Sequence, residues 1–415
     1  HQFHSPATTL KFLGYGSSSA TNAGETFFCD HTCSSKKSIR CIWKHKNVFK
    51  RPAIACSLNI RTYLKLRQTS DTTVSLILPD IGITRLWSLD DLKQILLVEE
   101  YEVFHPKPPT EQQLIQLKDF LELETDPIDT SSLAIIVFLY TYLSLFKNDN
   151  LQSVEVRVKS ELPIGAGLGS SAGYSVCVST ALLLLTGVIS PPTEDNVWKL
   201  KDLELINKWA FIGESLFHGK PSGIDNSIAT YGKAIKFKAG NICKLDKMPN
   251  LRVLLINTKV PRSTKDLVYG VRKKFEQYKN IVKPVLDSME AIVNKTEDVL
   301  SMMLEAECDM VSSYQTLQDL IDMNHDLLRF LGVSHPSLDL VCSICQENGL
   351  HCKLTGAGGG GCAFCLIPPE TTEDDLLSIK TALEKQNFEC WETSVGGNGI
   401  MLHNDITAIP ELLLK

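Results

Sequence analysis

A chain of 415 residues with 43% hydrophobic residues, 22% charged residues and a net charge of −6 has the composition of a soluble globular protein long enough for two cored domains. The acidic balance excludes the basic surface of a nucleic-acid binder, and no apolar run is long enough to span a bilayer, so neither nucleic acid nor membrane is an expected partner. Thirteen cysteines in so long a chain, several inside apolar runs, read as reduced thiols of a cytosol-like compartment, and no secretory leader is expected.

Residues 1–50 have weak periodicity and are rich in Ser, Thr and Lys, so an atypical, disordered terminus is expected there. Within them "CDHTC", followed by Cys41 and His45, offers metal donors at a spacing that matches no common zinc pattern. From Arg51 the chain reads as globular. "PAIACSL", "IRTYLKLRQ" and "TVSLILPD" read as strands, and 110–123 and 131–146 carry helical periodicity. "SVEVRVKS" alternates, with Val154, Val156 and Val158 on one face, and runs into "ELPIGAGLGSSAGYS", which holds four glycines. A helix follows that stretch, a second covers roughly 203–217, and "VLLIN" at 253–257 is a buried strand.

The polar stretch Lys244 to Asn250 is the candidate domain boundary, dividing 51–246 from 247–402 and leaving 403–415 as a tail. Beyond it the pattern predicts helices at 265–285, 284–307, 311–332 and 336–348, with the strand "HCKLTG" next. The glycine run Ala357–Gly361, the strand "CAFCLI", a helix at 371–386 and the strand "CWETSV" follow. This order suggests an α+β second domain of the ferredoxin-like kind. Cys342 and Cys345, three apart in a helical pattern, read as same-face packing, with redox chemistry as the alternative.

Three stretches carry chemistry. A strand leading through a glycine loop into a helix is the geometry that binds phosphate, because backbone N–H groups and the helix N-terminus converge on an anion. Ser170 and Ser171 stand where that helix begins and can cap it, contact phosphate or ligate Mg²⁺ through a hydroxyl. A generic glycine-rich turn is the plainer alternative, since the pattern is neither of the two common nucleotide-binding fingerprints. In "GESLFHGKPSGIDNSIATYGK" two acids, Glu214 and Asp225, flank a turn with Pro221 and Gly223. That arrangement suits a metal ligand plus a base, or a helix-ending Glu and a turn-capping Asp. In "KLTGAGGGGC" five glycines between Gly356 and Gly361 call for close backbone approach rather than core packing, with a flexible hairpin turn as the alternative.

Taken together, "PIGAGLGSSA", "GKPSGIDN" and "KLTGAGGGG", in this order and at these separations, closely resemble the GHMP superfamily of small-molecule kinases, which act on galactose, homoserine, mevalonate and phosphomevalonate. "SLNIRTYLKL", "WAFIGESLFHGKPSGIDN" and "NTKVPRSTK" are similar to the branch that phosphorylates mevalonate, and the resemblance runs from about Arg51 to Gly397. It implies a two-domain α+β fold, with an N-terminal domain like ribosomal protein S5 and a ferredoxin-like C-terminal domain. It implies an ATP- and Mg²⁺-dependent enzyme acting on mevalonate in isoprenoid and sterol synthesis, commonly a homodimer, in the cytoplasm or the peroxisome. The C-terminal "ELLLK" carries no S-K-L address.

Carried over residue by residue, the resemblance implies that the loop Gly165, Ala166, Gly167, Leu168, Gly169, Ser170 and Ser171 wraps the ATP phosphates, with Asn59 and Ser160 on the nucleotide side. Ser171 and Glu214 would hold Mg²⁺, and Asp225 would act on the substrate hydroxyl as general base or orienting group. Ser222 and Thr264 would line the site, and Gly356, Gly358, Gly359 and Gly360 would close over the transferring phosphate. Phosphoryl transfer needs these parts: positioning, charge neutralisation and a proton acceptor.

The chain departs from the family at one place. The family's N-terminal Pro-Gly-Lys and Gly-Glu-His motif meets "KKSIRCIWKHKNVFKRPAIA", where His45 and Val48 survive. Lys44 stands where the acid belongs, and Ser38 where the lysine belongs, with Lys37 beside it. The switch from mismatch to match at Pro52 points to an altered N-terminal reading rather than a diverged enzyme. Losing that cation implies a turnover lower by ~10²–10³. The alternatives are a GHMP-fold nucleotide-binding protein with little turnover, or a kinase of phosphomevalonate or galactose.

Overall fold

The computed structural model describes residues 26–35, 51–95, 102–123, 128–146, 150–161, 168–238, 241–245, 247–261 and 264–403. Ser38, Lys44, His45 and the rest of the departing motif lie outside them, as do Gly165, Ala166 and Gly167. Within the terminus expected to lack order, Thr26–Ser35 forms strand β1. It pairs antiparallel with β2 (Ala53–Gln68).

β2 joins two stretches that read as separate strands. Nothing in "AIACSLNIRTYLKLRQ" breaks a strand, and inward residues alternate through its second half from Ile60 to Leu66. Its two ends serve different neighbours. Thr62–Gln68 pairs antiparallel with β5 (Val154–Ser160), and Ala53–Cys56 with β6 (Ala234–Lys238). On the far side of β5 lies β3 (Thr73–Leu78), parallel to it, and then β4 (Ile83–Ser88). β6 turns back into β7 (Asn241–Leu245), a hairpin the sequence reading missed because its outer strand is almost wholly exposed. The stretch expected as a domain boundary is the end of this hairpin and the loop into β8 (Leu251–Asn257).

The second half builds on β8. β10 (Cys362–Leu366) pairs with it on one side and β11 (Glu389–Val395) on the other, while β9 (Cys352–Leu354) pairs with β10. Val395 of β11 pairs with Leu58 of β2, so one sheet runs through both halves. The last described strand, β12 (Met401–His403), returns to the first half and pairs with β1.

Helices cover this sheet. α1 (Leu89–Lys93) and α2 (Glu111–Phe120) are peripheral, α2 opening with a reciprocal Thr110–Gln113 capping box. α3 (Thr130–Leu145) and α4 (Ser170–Leu185) are apolar on every side, as helices enclosed by other elements must be. With α5 (Leu200–His218) they fill the first core, around Phe138, Tyr142 and Trp209. α6 (Ile224–Tyr231) packs beside them. In the second half α7 (Thr264–Gln277), α8 (Lys279–Met302) and α9 (Met310–Leu331) precede α10 (Pro336–Glu347) and α11 (Glu373–Glu384). The break expected near Pro284 lies at Tyr278; Pro284 sits in the second turn of α8. A third cluster, holding Leu58, Ile60, Leu168, Leu255 and Cys362, joins the two halves. The α+β architecture expected from the sequence is present. No helix among the described residues is long and apolar enough to cross a membrane.

Candidate active site

The head of α4 is the first component. β5 delivers the chain to the glycine stretch, and Leu168, fully buried in the joining cluster, anchors its far end. Gly169 caps the helix at φ 90, a conformation that costs an L side chain strain, and among the described residues no side chain caps the first free N–H groups. The hydroxyl of Ser170 is buried with no hydrogen-bond partner among the described residues. Unclaimed helix N–H groups beside an unspent hydroxyl form a seat for an anion.

The tail of α5 supplies the second component. α5 approaches α4 closely because residue 213 is glycine: a Cβ there would lie 2.5 Å from the Ser175 hydroxyl. That approach sets Ser171 Oγ 3.0 Å from Nε2 of His218. The same nitrogen lies 4.0 Å from the carboxylate of Glu214, one helical turn back and only 1% exposed. Ser171 and Glu214 therefore meet at one place, with His218 between them. No motif assigns His218 a role; its i,i+4 spacing from Glu214 is the one signal of it in the sequence.

α6 supplies the third. Gly223 caps it at φ 78, again with no side-chain cap. Asp225 stands in its first turn, 6% exposed, where the helix dipole favours a carboxylate. Ser222 accepts the Ile224 N–H at 3.4 Å and so shapes the turn. Asn207 of α5 fixes the helix by accepting from Asn226 at 2.7 Å and donating to the Ser227 hydroxyl at 3.3 Å.

The second glycine loop lies between β9 and β10. Gly356, Gly358, Gly359 and Gly360 all have positive φ. The close approach inferred for them is made to the protein's own chain: a Cβ on Gly358 would lie 1.8 Å from the Val333 carbonyl, and one on Gly360 2.7 Å from Val260. Gly359 and Gly361 donate to the carbonyls of Val333 and Val260 at 2.9 and 3.0 Å. Thr258 donates to Gly361 through its hydroxyl at 2.7 Å. The loop is thus bound to the segment that leads into α7, whose first residue is Thr264. Its end, Cys362, shares the joining cluster with Leu168.

The two residues expected on the nucleotide side sit differently. Asn59 is exposed on β2. Ser160 ends β5, donating its N–H to Asp80 at 2.7 Å with its hydroxyl 3.1 Å from that of Thr62.

The geometry agrees with what the chain resembles. Residues 134–233 match the family described as GHMP kinases N terminal domain, and 304–389 match GHMP kinases C terminal. The chain is 44% identical over 368 residues to the mevalonate kinase of Homo sapiens, an alignment covering 87% of this chain and 92% of that one. Its fold matches the crystal structure of the Methanococcus jannaschii mevalonate kinase at TM-score 0.64 and 17% identity, covering 93% of this chain and 100% of the other. It also matches an L. major mevalonate kinase in complex with R-mevalonate, at TM-score 0.62 and 21% identity, covering 91% and 97%. Identity at this level over most of both chains, with both GHMP domains present, shows that the chain belongs to the mevalonate kinases of the GHMP kinase family.

Proposed function

We propose that the chain transfers the γ-phosphoryl group of ATP to the primary hydroxyl of mevalonate. The observation that carries the mechanism is the meeting of Ser171, His218 and Glu214 at the head of α4. The residues there fit a magnesium nucleotide. Ser171 and Glu214 are hard oxygen donors of the kind Mg²⁺ takes, and the uncapped turn of α4 with the unspent Ser170 hydroxyl suits phosphate. Ser171 and Glu214 would hold the ion, which when bound neutralises charge on the phosphates. His218, bonded to Ser171, orients that hydroxyl. The glycine stretch from Gly165 to Ser171 holds phosphate oxygens, with Asn59 and Ser160 toward the nucleotide.

Asp225 accepts the proton of the attacking hydroxyl or aligns it. Its place in the first turn of α6 holds it fixed where the helix dipole favours a carboxylate, with little water around it. Ser222 and Thr264 line the acceptor side, and the loop at Gly356, Gly358, Gly359 and Gly360 covers it. The ten free thiols among the described residues fit a reducing compartment, and a homodimer, common among kinases of this family, is the assembly we propose.

ADP release from Mg-ATP with mevalonate, run beside galactose, homoserine and phosphomevalonate, tests the reading. Turnover on mevalonate that disappears in Asp225→Asn is expected. Turnover on another alcohol and none on mevalonate would overturn the substrate, and ATP binding without turnover would leave only a nucleotide cradle.

A further inference from the structure

The second half of the fold contains a sulfur cluster that phosphoryl transfer does not use. Cys352 on β9 and Cys365 on β10 are directly opposed in the antiparallel register, so their side chains leave the sheet on the same face. α10 covers that face and presents Cys345 to it, with Cys342 one turn earlier. The sulfurs of Cys345, Cys352 and Cys365 all lie within 4.8 Å of one another, and all three residues are buried. Cys345 and Cys365 are 3.2 Å apart, sulfur to sulfur. Cys342 is half-buried and donates to the Cys352 carbonyl at 3.3 Å. Among the described residues this is the one group of three metal-capable donors so close together.

Packing alone would explain one buried cysteine, which behaves as a small hydrophobe. It does not explain three sulfurs converging from three elements in a chain that holds leucine and valine all around them. A tetrahedral zinc site has Zn–S bonds of ~2.3 Å, which puts its sulfurs about 3.8 Å apart. The three thiols lie within 4.8 Å of one another, two of them 3.2 Å apart, so small side-chain shifts bring them to that spacing, and no disulfide joins them.

We propose that Cys345, Cys352 and Cys365, completed by Cys342, form a thiolate site for Zn²⁺ that fastens the root of the hairpin carrying the second glycine loop. The binding step balances as a proton exchange: Zn²⁺ enters, each ligating thiol gives up its proton to solvent, and no electron moves. Cys342, at the solvent edge, is the point of entry and turns from the Cys352 carbonyl to the metal. Cys352 lies four residues before Gly356, and Cys365 lies four after Gly361. The metal therefore ties both stems of the loop to α10. The site is independent of the substrate reading, because none of its residues belongs to the kinase centre.

The test uses the full chain, reduced and stripped with a chelator, then exposed to Zn²⁺ and desalted. About one zinc per chain is expected by elemental analysis, with a rise in unfolding temperature. Co²⁺ in place of zinc is expected to give intense thiolate-to-cobalt charge-transfer absorption. Cys345→Ser and Cys365→Ser should lose both signals, and Cys243→Ser, at an exposed cysteine of β7, should keep them. Should the buried variants fail to fold, Cys342→Ser at the edge should weaken zinc roughly 10-fold or more and shift the cobalt spectrum. A folded, fully reduced chain that retains no zinc and gives no cobalt–thiolate band would overturn the proposal. So would zinc retained equally by Cys345→Ser, or a Cys345–Cys365 disulfide in chain purified without oxygen.

Discussion

The hydroxyl of Ser171, at the start of α4, lies 3.0 Å from Nε2 of His218, the last residue of α5. The histidine links that serine to Glu214, 4.0 Å away, and so couples the two oxygen donors read as magnesium ligands. His218→Ala should therefore raise the Mg²⁺ concentration needed for half-maximal activity by about 10-fold or more, as losing a partner behind a ligand does. A magnesium titration at fixed ATP measures this, and an unchanged midpoint would remove His218 from the site.

Asp225→Asn should lower kcat by ~10²–10⁴ and leave KM for mevalonate nearly unchanged. The substitution preserves shape in the first turn of α6 and removes only the proton acceptor. Steady-state kinetics beside a thermal unfolding curve separates this from simple destabilisation.

Gly358→Ala should destabilise the second half severely, by more than about 3 kcal/mol, because its Cβ would sit 1.8 Å from a backbone carbonyl that cannot withdraw. Gly349→Ala is the control. Its φ of +75 is similar but nothing lies within 4 Å, so strain alone, roughly 1–2 kcal/mol, is expected. Denaturant unfolding of the pair reads the difference; equal effects would show that contact with Val333 does not matter.

Arg51, two residues before β2, pairs with Asp287 and Glu290 of α8 and so ties the root of the shared strand to the second half. Its hydrogen bond is the largest cause holding Glu290 below the ordinary glutamate range. A carboxylate lowered in this way contributes stability above its unfolded-state value and loses it as pH falls through the folded value. Arg51→Gln should thus cost roughly 1 kcal/mol at neutral pH, where the pair is half-exposed. The gap from the parent chain should close below pH ~4. Unfolding temperatures measured from pH 7 to pH 3 check it, and a gap independent of pH would assign the effect to packing.

The sequence by itself determined what contiguous residues can encode. The apolar run after the glycine stretch forms α4, alternation from Val154 forms β5, and Gly169 and Gly223 open helices whose heads carry Ser171 and Asp225. Period, backbone conformation and helix polarity are local properties, so they are legible along the chain. The motifs also told the family, because their order and separation are properties of the sequence. Tertiary structure alone decided which distant groups meet. His218 reaches Ser171 because Gly213 lets α5 settle on α4. The second glycine loop closes on Val333 and Val260, residues no spacing rule connects to it. Cys345 and Cys342 read as a helical packing pair until the register of β9 and β10 brings Cys352 and Cys365 beneath them. Such contacts depend on how helices dock on a sheet, which is set by the packing of side chains far apart in the chain.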